Sequence, residues 1–220
     1  MAAKKEIVDI IKNLSGQYPP YVIFSDWVEM MALSIQNTCD LTKGAVWKKR
    51  EQQFMDVRKK YTDAEFSLFG KMFYLLCKAL EDDFGDVLGV IYMESDSGNK
   101  YTGQFFTPFN VSKMCADCMI PKDYDGSYKL TLNEPSVGGG GMIIATAAIL
   151  HERGINYQRC MEVVGQDLDW KAVYMAYVQF SLLGISAEVV QGSTLTEPYC
   201  GKNYPSERVF RTPKRMGVLL

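Results

Sequence analysis

The sequence predicts an α/β chain: an all-α N-terminal region over residues 1–100, then the front half of a doubly wound parallel sheet over 101–220. Three observations carry this. The first hundred residues read as a succession of helices. From about Tyr101 the pattern changes to strand, helix, strand, helix, strand, a spacing that implies right-handed parallel crossovers. Between the first of these strands and its helix stands Asn133-Glu134-Pro135-Ser136-Val137 followed by four glycines, Gly138–Gly141. Such a turn lets backbone approach a ligand and offers the unpaired N–H groups of a helix start.

Bulk properties bound the function. The chain has 220 residues, 47% hydrophobic and 23% charged, enough for one domain with a sizeable core plus a helical appendage. A net charge of −2 excludes a wholesale electrostatic grip on nucleic acid. Any nucleic-acid contact must therefore come from a local patch or a partner subunit. No apolar run approaches the roughly 20 residues needed to span a bilayer, so no membrane association is expected. The N-terminus leads into an amphipathic pattern rather than a signal-peptide core. The six cysteines, scattered except for Cys115 and Cys118, fit reduced thiols in a cytoplasmic protein.

Taken in order, residues 5–14 place Ile7, Ile10, Ile11 and Leu14 at helical spacing, and Ser15-Gly16 ends the helix. Pro19-Pro20 marks a break, and Ser25 caps a second helix carrying Trp27, Met30, Met31 and Leu33. Residues 44–61 form a charged helix with Lys48-Lys49-Arg50 and Arg58-Lys59-Lys60 as solvated faces. Thr62 and Glu65 make a capping box ahead of the helix 66–80, which buries Phe66, Phe69, Phe73, Leu76 and Leu80. A short helix follows over 83–94, then a polar loop over 95–100. Thr107 and Pro108 read as N-cap and first position of a helix to about Met119. Strands are expected at 128–133, 159–165 and 185–190, and helices at 142–153 and 170–183. After Gly192 the pattern lapses into a polar tail.

Alone, the glycine-rich turn reads equally well as a tight strand-to-helix connection. Asp167 shifts the balance: it lies just past the second strand, one strand–helix–strand unit on, where nucleotide-type α/β sites place a carboxylate on ribose hydroxyls. Leu168 beside it can pack on an adenine ring. The turn lacks the Gly-x-Gly-x-x-Gly order of dinucleotide sites and the Gly-Lys-Ser/Thr of a P-loop, so an adenosine-containing cofactor other than NAD or a nucleoside triphosphate is favoured.

Three ordered motifs then carry a resemblance. Gly103-Gln104-Phe105-Phe106-Thr107-Pro108, Glu134-Pro135-Ser136-Val137-Gly138-Gly139-Gly140-Gly141, and Gly165-Gln166-Asp167 resemble the N6-adenine DNA methyltransferases, and most of all the modification subunits of type I restriction systems. Asp86-Val87-Leu88-Gly89, with Ile91 and Tyr92, is similar to that family's lead-in helix, and the likeness runs from about Asp83 to Leu195. The resemblance implies a partial Rossmann-like methyltransferase sheet, S-adenosylmethionine as cofactor, and DNA as a partner, reached directly or through another subunit. It implies that Gln104 and Phe105–Pro108 line the methionine end. Glu134, where the family has Asp, would face the amino group, Gly138 and Gly140 would allow close approach, and Asp167 would hold the ribose. Gly192-Ser193-Thr194-Leu195 is similar to the family's Gly-Asp-Thr-Leu. Ser193 stands where an aspartate reads the adenine amine, with Leu195 beside it.

The family's Asn/Asp-Pro-Pro-Tyr/Phe signature, which holds and stacks the target base, has no counterpart after Leu195. Asn203-Tyr204-Pro205 has the wrong order, and Glu197-Pro198-Tyr199 lacks the amide. No catalytic residue is assigned. The cofactor half alone implies a methyltransferase of restriction-modification type, a catalytically degenerate cofactor- or DNA-binding module whose sheet edges admit covering by a second copy, or a fragment of a longer enzyme whose remainder carries the missing motif. Cys115 and Cys118, inside a helix without a second pair, read as helical thiols rather than a metal site. His151 and Glu152 read as helix C-terminal capping. Lys202, Arg208, Arg211, Lys214 and Arg215 form the best phosphate-contacting cluster, with ordinary solvated charge as the alternative.

Overall fold

A computed structural model describes residues 2–95, 106–201 and 204–218. The chain divides into two compact units, one of Met1–Asp83 and Val87–Phe105, the other of Phe84–Asp86 and Phe106–Leu220.

The first unit is helical. α1 (Ala2–Leu14) buries Ile7, Val8, Ile10 and Ile11, the stripe its spacing predicts. α2 (Pro20–Cys39) is the central element, with Ile23, Phe24, Trp27, Val28 and Leu33 all buried. It begins at Pro20 behind Pro19, not at Ser25, whose hydroxyl lies inside the helix and donates to the Tyr21 carbonyl at 2.7 Å. Proline at the first helical position gives up an N–H that no helical carbonyl would have accepted. α3 (Ala45–Arg58) is shorter than expected, and its charges are not all solvated: Arg50 is buried and pairs with Asp40 at 3.5 Å. α4 (Asp63–Asp82) starts with the Thr62–Glu65 capping box and buries Phe69, Leu76 and Leu80, while Phe66 and Phe73 stay half-buried. α5 (Val87–Glu94) completes the core through Tyr92, whose ring lies 5.4 Å from that of Phe24.

A buried carboxylate ties this core to the segment after α3. Asp26 on α2 accepts from Lys60 Nζ at 3.0 Å and from the Tyr61 hydroxyl at 2.8 Å.

In the second unit, α6 (Phe109–Met119) follows Pro108, which takes the N-cap position expected of Thr107 and offers no side-chain bond. β1 (Leu130–Glu134) leads through the glycines into α7 (Gly141–Glu152). The expected second strand starts two residues late, because Asn156 caps a one-turn helix, α8 (Tyr157–Cys160), ahead of β2 (Met161–Asp167). α9 (Trp170–Leu182) and β3 (Ser186–Gln191) follow. The three strands are parallel, in the order β1-β2-β3, with Leu132, Val163 and Ala187 in register.

The tail departs from expectation. β4 (Val209–Arg211) pairs antiparallel with β3 and closes its outer edge, and α10 (Pro213–Met216) follows, capped by Thr212. Three residues are too few to show alternation in the sequence. The three tail arginines are committed: Arg208 pairs with Glu197 at 3.1 Å, Arg211 with Glu188 at 3.1 Å, and Arg215 with Glu188 and Glu162, each at 3.4 Å; Lys202 lies outside the described residues. His151 lies in the last turn of α7, as expected, and its ring stacks on Phe84, 5.6 Å between ring centroids at 13°, while Glu152 pairs with Lys113 at 2.5 Å. No described helix is long and apolar enough to cross a membrane.

Two outcomes are expected. Asp26→Ala strips Tyr61 and Lys60 of their shared acceptor and lowers unfolding free energy by about 2 kcal/mol in urea denaturation. The second concerns pH. Burial pushes the Glu188 carboxyl up, but the Tyr199 hydroxyl and the Arg211 and Arg215 guanidiniums outweigh it, so its pKa lies below the ordinary range. A depressed folded pKa makes the contribution present above the unfolded value of about 4.3 and lost as pH falls through the folded one. Limited proteolysis therefore cuts the tail faster below that range than above it, and Glu188→Gln removes the contrast.

Candidate cofactor site at the carboxyl ends of the parallel strands

Ligands of open α/β sheets bind beyond the carboxyl ends of the strands. Here those ends are Glu134, Asp167 and Gln191, and the three loops that leave them are tied together by hydrogen bonds.

The glycine-rich turn is fixed first. Val137 N–H donates to the Gln166 carbonyl at 3.0 Å and Gly140 N–H to the Val137 carbonyl at 2.8 Å. Gly140 has φ +94, and a Cβ there would lie 2.6 Å from the Phe180 ring, so the turn seats α7 directly against α9. Asp86, buried, lies within 3.3 Å of where a Gly141 Cβ would sit and accepts from Gln179 Nε2 at 2.8 Å. Gln179 Nε2 also donates to the Gly139 carbonyl at 2.8 Å. A carboxylate at this point complements the positive end of α7.

Asp167 joins the loops. One carboxylate oxygen accepts from Gly138 N–H at 2.9 Å, the other from Asp169 N–H at 3.0 Å, and its carbonyl accepts from Gly192 N–H at 2.8 Å. Asp169 caps α9 through Lys171 N–H at 2.9 Å. From the third loop, the Thr194 hydroxyl reaches across to the Pro135 carbonyl at 2.6 Å.

The expected site residues fall into place as follows. Gln104 and Phe105 lie outside the described residues. Phe106 is half-buried, its ring 3.2 Å from where a Gly138 Cβ would sit, so Phe106, Gly138 and Asp167 form one cluster. Thr107 and Pro108 are exposed beside it. Glu134 is half-buried and accepts from Ser136 N–H at 3.2 Å. Leu168 is 69% exposed and Leu195 96% exposed, apolar side chains left in solvent at the mouth of this cluster's strands. The Ser193 hydroxyl accepts from Thr196 N–H at 3.3 Å. In front of Gly140, as in front of Gly138, stands an aromatic ring of the protein, here that of Phe180.

Sequence reasoning missed several supports. Thr194 was legible only as part of a matched four-residue run, and Gln179 gave no signal. Gln166, 2% exposed, anchors the tail by donating to the Glu197 carbonyl at 2.9 Å and accepting from Tyr199 N–H at 3.0 Å. The two tail tyrosines nearest to a target-base motif serve as anchors. The Tyr199 hydroxyl is spent on Glu188 and that of Tyr204 on the Gln191 carbonyl at 2.9 Å.

Comparison with known proteins sets this geometry in a family. The family model described as N-6 DNA Methylase matches residues 79–214. No curated protein matches the chain. Among solved structures, the chain is similar to a putative class I S-adenosylmethionine-dependent methyltransferase from Listeria monocytogenes. The TM-score is 0.52 at 9% identity, over 89% of this chain and 55% of that one. It is also similar to a type I restriction-modification system methyltransferase subunit from Streptococcus thermophilus, with TM-score 0.49 at 12% identity, over 92% and 60%. The chain thus spans between 55% and 60% of the length of these two solved proteins. The sheet is that of an S-adenosylmethionine-dependent methyltransferase fold.

Gly140→Ala is expected to cost roughly 3 kcal/mol in urea unfolding, from left-handed strain and overpacking against Phe180 together. Gly154→Ala, at φ +74 with nothing within 4 Å, isolates the strain and costs only about 1 kcal/mol.

Proposed function

This chain belongs to the N-6 DNA Methylase family, and from that premise we propose that its 101–220 region binds S-adenosylmethionine and serves DNA adenine-N6 methylation of restriction-modification type. Residues 1–100 are its helical companion. The observation that carries the reading is the Gly138–Asp167 hydrogen bond of 2.9 Å, which brings the glycine-rich turn and the ribose-binding candidate together at the strand ends.

The donor set fits the cofactor. An ionised carboxylate has about four acceptor positions; Asp167 spends two on backbone N–H groups and keeps others for ribose hydroxyls. Leu168 and Leu195 offer apolar surface to an adenine ring, and Ser193 offers an acceptor to its amine. Glu134 and Asp167 suit a ligand bearing a sulfonium and an ammonium, because opposite charges attract more strongly out of bulk water. Phe106, Thr107 and Pro108, with Gln104 and Phe105 before them, stand as the methionine-end wall. When bound, the cofactor supplies an activated methyl group for in-line attack by the target amine, and the chain's contribution is positioning.

A second reading is favoured by one specific observation. Within these 220 residues the tail tyrosines nearest to an Asn/Asp-Pro-Pro-Tyr/Phe run are tied to the sheet by their hydroxyls. On that reading the chain binds cofactor, DNA or both as a regulatory module.

Calorimetry with S-adenosylmethionine tests the shared premise. Binding is expected, and Leu168→Ser, on an exposed side chain, weakens it about tenfold, or roughly 1.4 kcal/mol, without changing thermal stability. Absence of heat with the wild-type chain refutes both readings. Labelled-methyl transfer to adenine-containing duplex then separates them: transfer by the chain, alone or with partner subunits, supports the enzyme, and binding without transfer supports the module.

A further inference from the structure

We propose that Asp86, buried behind the glycine-rich turn, sets the charge of the ligand that the turn accepts: a cationic adenosine derivative in preference to an adenosine phosphate. The inference deepens the cofactor reading and rests on it.

A glycine-rich turn that opens a helix at the carboxyl ends of parallel strands is ordinarily a phosphate site. The N–H groups of the first turn have no acceptor inside the helix, and the helix dipole adds a positive end. α7 opens in this way, behind Gly138, Gly139 and Gly140. Its positive end, however, is answered from inside the protein. Asp86 Oδ2 lies 3.3 Å from where a Cβ would sit on Gly141, the first residue of α7, and Oδ1 lies 3.6 Å from one on Gly139. Asp86 is only 8% exposed, so neither water nor salt screens its charge well.

Gln179 fixes that charge to the turn. Its side chain, fully buried on α9, donates through Nε2 to Asp86 Oδ1 and to the Gly139 carbonyl, each at 2.8 Å. An amide nitrogen carries two protons, so both bonds are made at once. Carboxylate and turn backbone therefore keep one relative position. An amide donor and a helix start both favour the ionised form of a carboxylate.

Asp86 meets the turn on its α9 side, where Met175 and Phe180 stand against Gly139 and Gly140. Gly138 is met instead by the Phe106 ring and donates to Asp167, on the side where the ligand is proposed to lie. Asp86 thus acts on a ligand through the turn rather than by contact. The side chains at the strand ends add the same sign through Glu134 and Asp167, and Lys171 is drawn off to Asp169 at 3.6 Å. A phosphate here meets carboxylates and a cancelled helix dipole. A sulfonium and an ammonium gain from the same field.

Competition calorimetry on the full chain tests this with three ligands that share adenosine: S-adenosylmethionine, S-adenosylhomocysteine with its uncharged sulfur, and adenosine diphosphate. The wild type is expected to prefer S-adenosylmethionine to the diphosphate by at least about tenfold. Asp86→Asn removes the charge but keeps the size and an acceptor for Gln179. Asparagine also serves as well as aspartate ahead of a helix such as α5, which starts at Val87. In this variant the preference over the diphosphate falls about tenfold, and that over S-adenosylhomocysteine about threefold, since one positive charge separates that pair. A merely structural role would weaken all three ligands alike. Unchanged ratios overturn the inference, as does a wild type that binds the diphosphate as tightly as S-adenosylmethionine; in both cases the cofactor reading survives. A wild type that takes up neither adenosyl ligand removes the cofactor reading and the role of Asp86 with it. If Asp86→Asn loses its cooperative thermal transition, Asp86→Ser, a smaller neutral residue, is read by the same ratios, and the wild-type preference over the diphosphate decides independently of either variant.

Discussion

Everything at the carboxyl end of the sheet depends on one carboxylate accepting backbone protons. A glycine-rich turn ahead of a helix leaves N–H groups with no partner inside the helix. Asp167 takes the one from Gly138 in a charge-assisted bond, takes another from Asp169, and through its carbonyl takes a third from Gly192. Three loops that leave three different strands are thereby fixed by one residue. With the turn fixed, Gly140 meets Phe180 and α7 settles against α9. The loops at this end are thus as much packing elements as recognition elements.

The sheet is built for two layers. Parallel strands ordinarily need cover on both faces, and Met161, Val163, Ala187 and Val189 are buried on one face. The other face carries Glu162 and Glu188, which cannot be left in an apolar layer. Arg211 and Arg215 from the tail answer them, so that the tail, with Tyr199, supplies polar cover where a helix would otherwise lie. The cluster is partly exposed, and its worth lies in fixing where the tail runs more than in net stability.

Long periodic elements were legible in the sequence. The helix–strand alternation and the Thr62–Glu65 capping box stand close to where spacing puts them, because each rests on a repeated pattern. Elements resting on one residue were not. Ser25 looked like a cap, but four apolar residues before it, Tyr21 to Phe24, already belong to the helix that Pro20 opens. Arg50 sits in a run of positive charge, yet Asp40 draws it inward, and that pairing depends on the α2–α3 geometry. β4 owes its existence to the open edge of β3, a tertiary fact. At the candidate site, the spacing of Gly138 and Asp167 was readable and the structure joins them. The ties made by Thr194, Gln166 and Gln179 join residues far apart in the chain, so no local pattern announces them.

The antiparallel β4 has a consequence for the order of synthesis. β3 leaves the ribosome with its outer edge bare, and the strand that shields it follows only after the 192–208 connection. During that interval the nascent chain exposes an apolar parallel edge, the species most open to wrong pairing. The Gln166 amide holds the connection at the Glu197 carbonyl and the Tyr199 N–H, shortening the loop that β4 has left to close and with it the entropic cost of closure. A side chain in the middle strand thereby acts as a folding clamp for the edge.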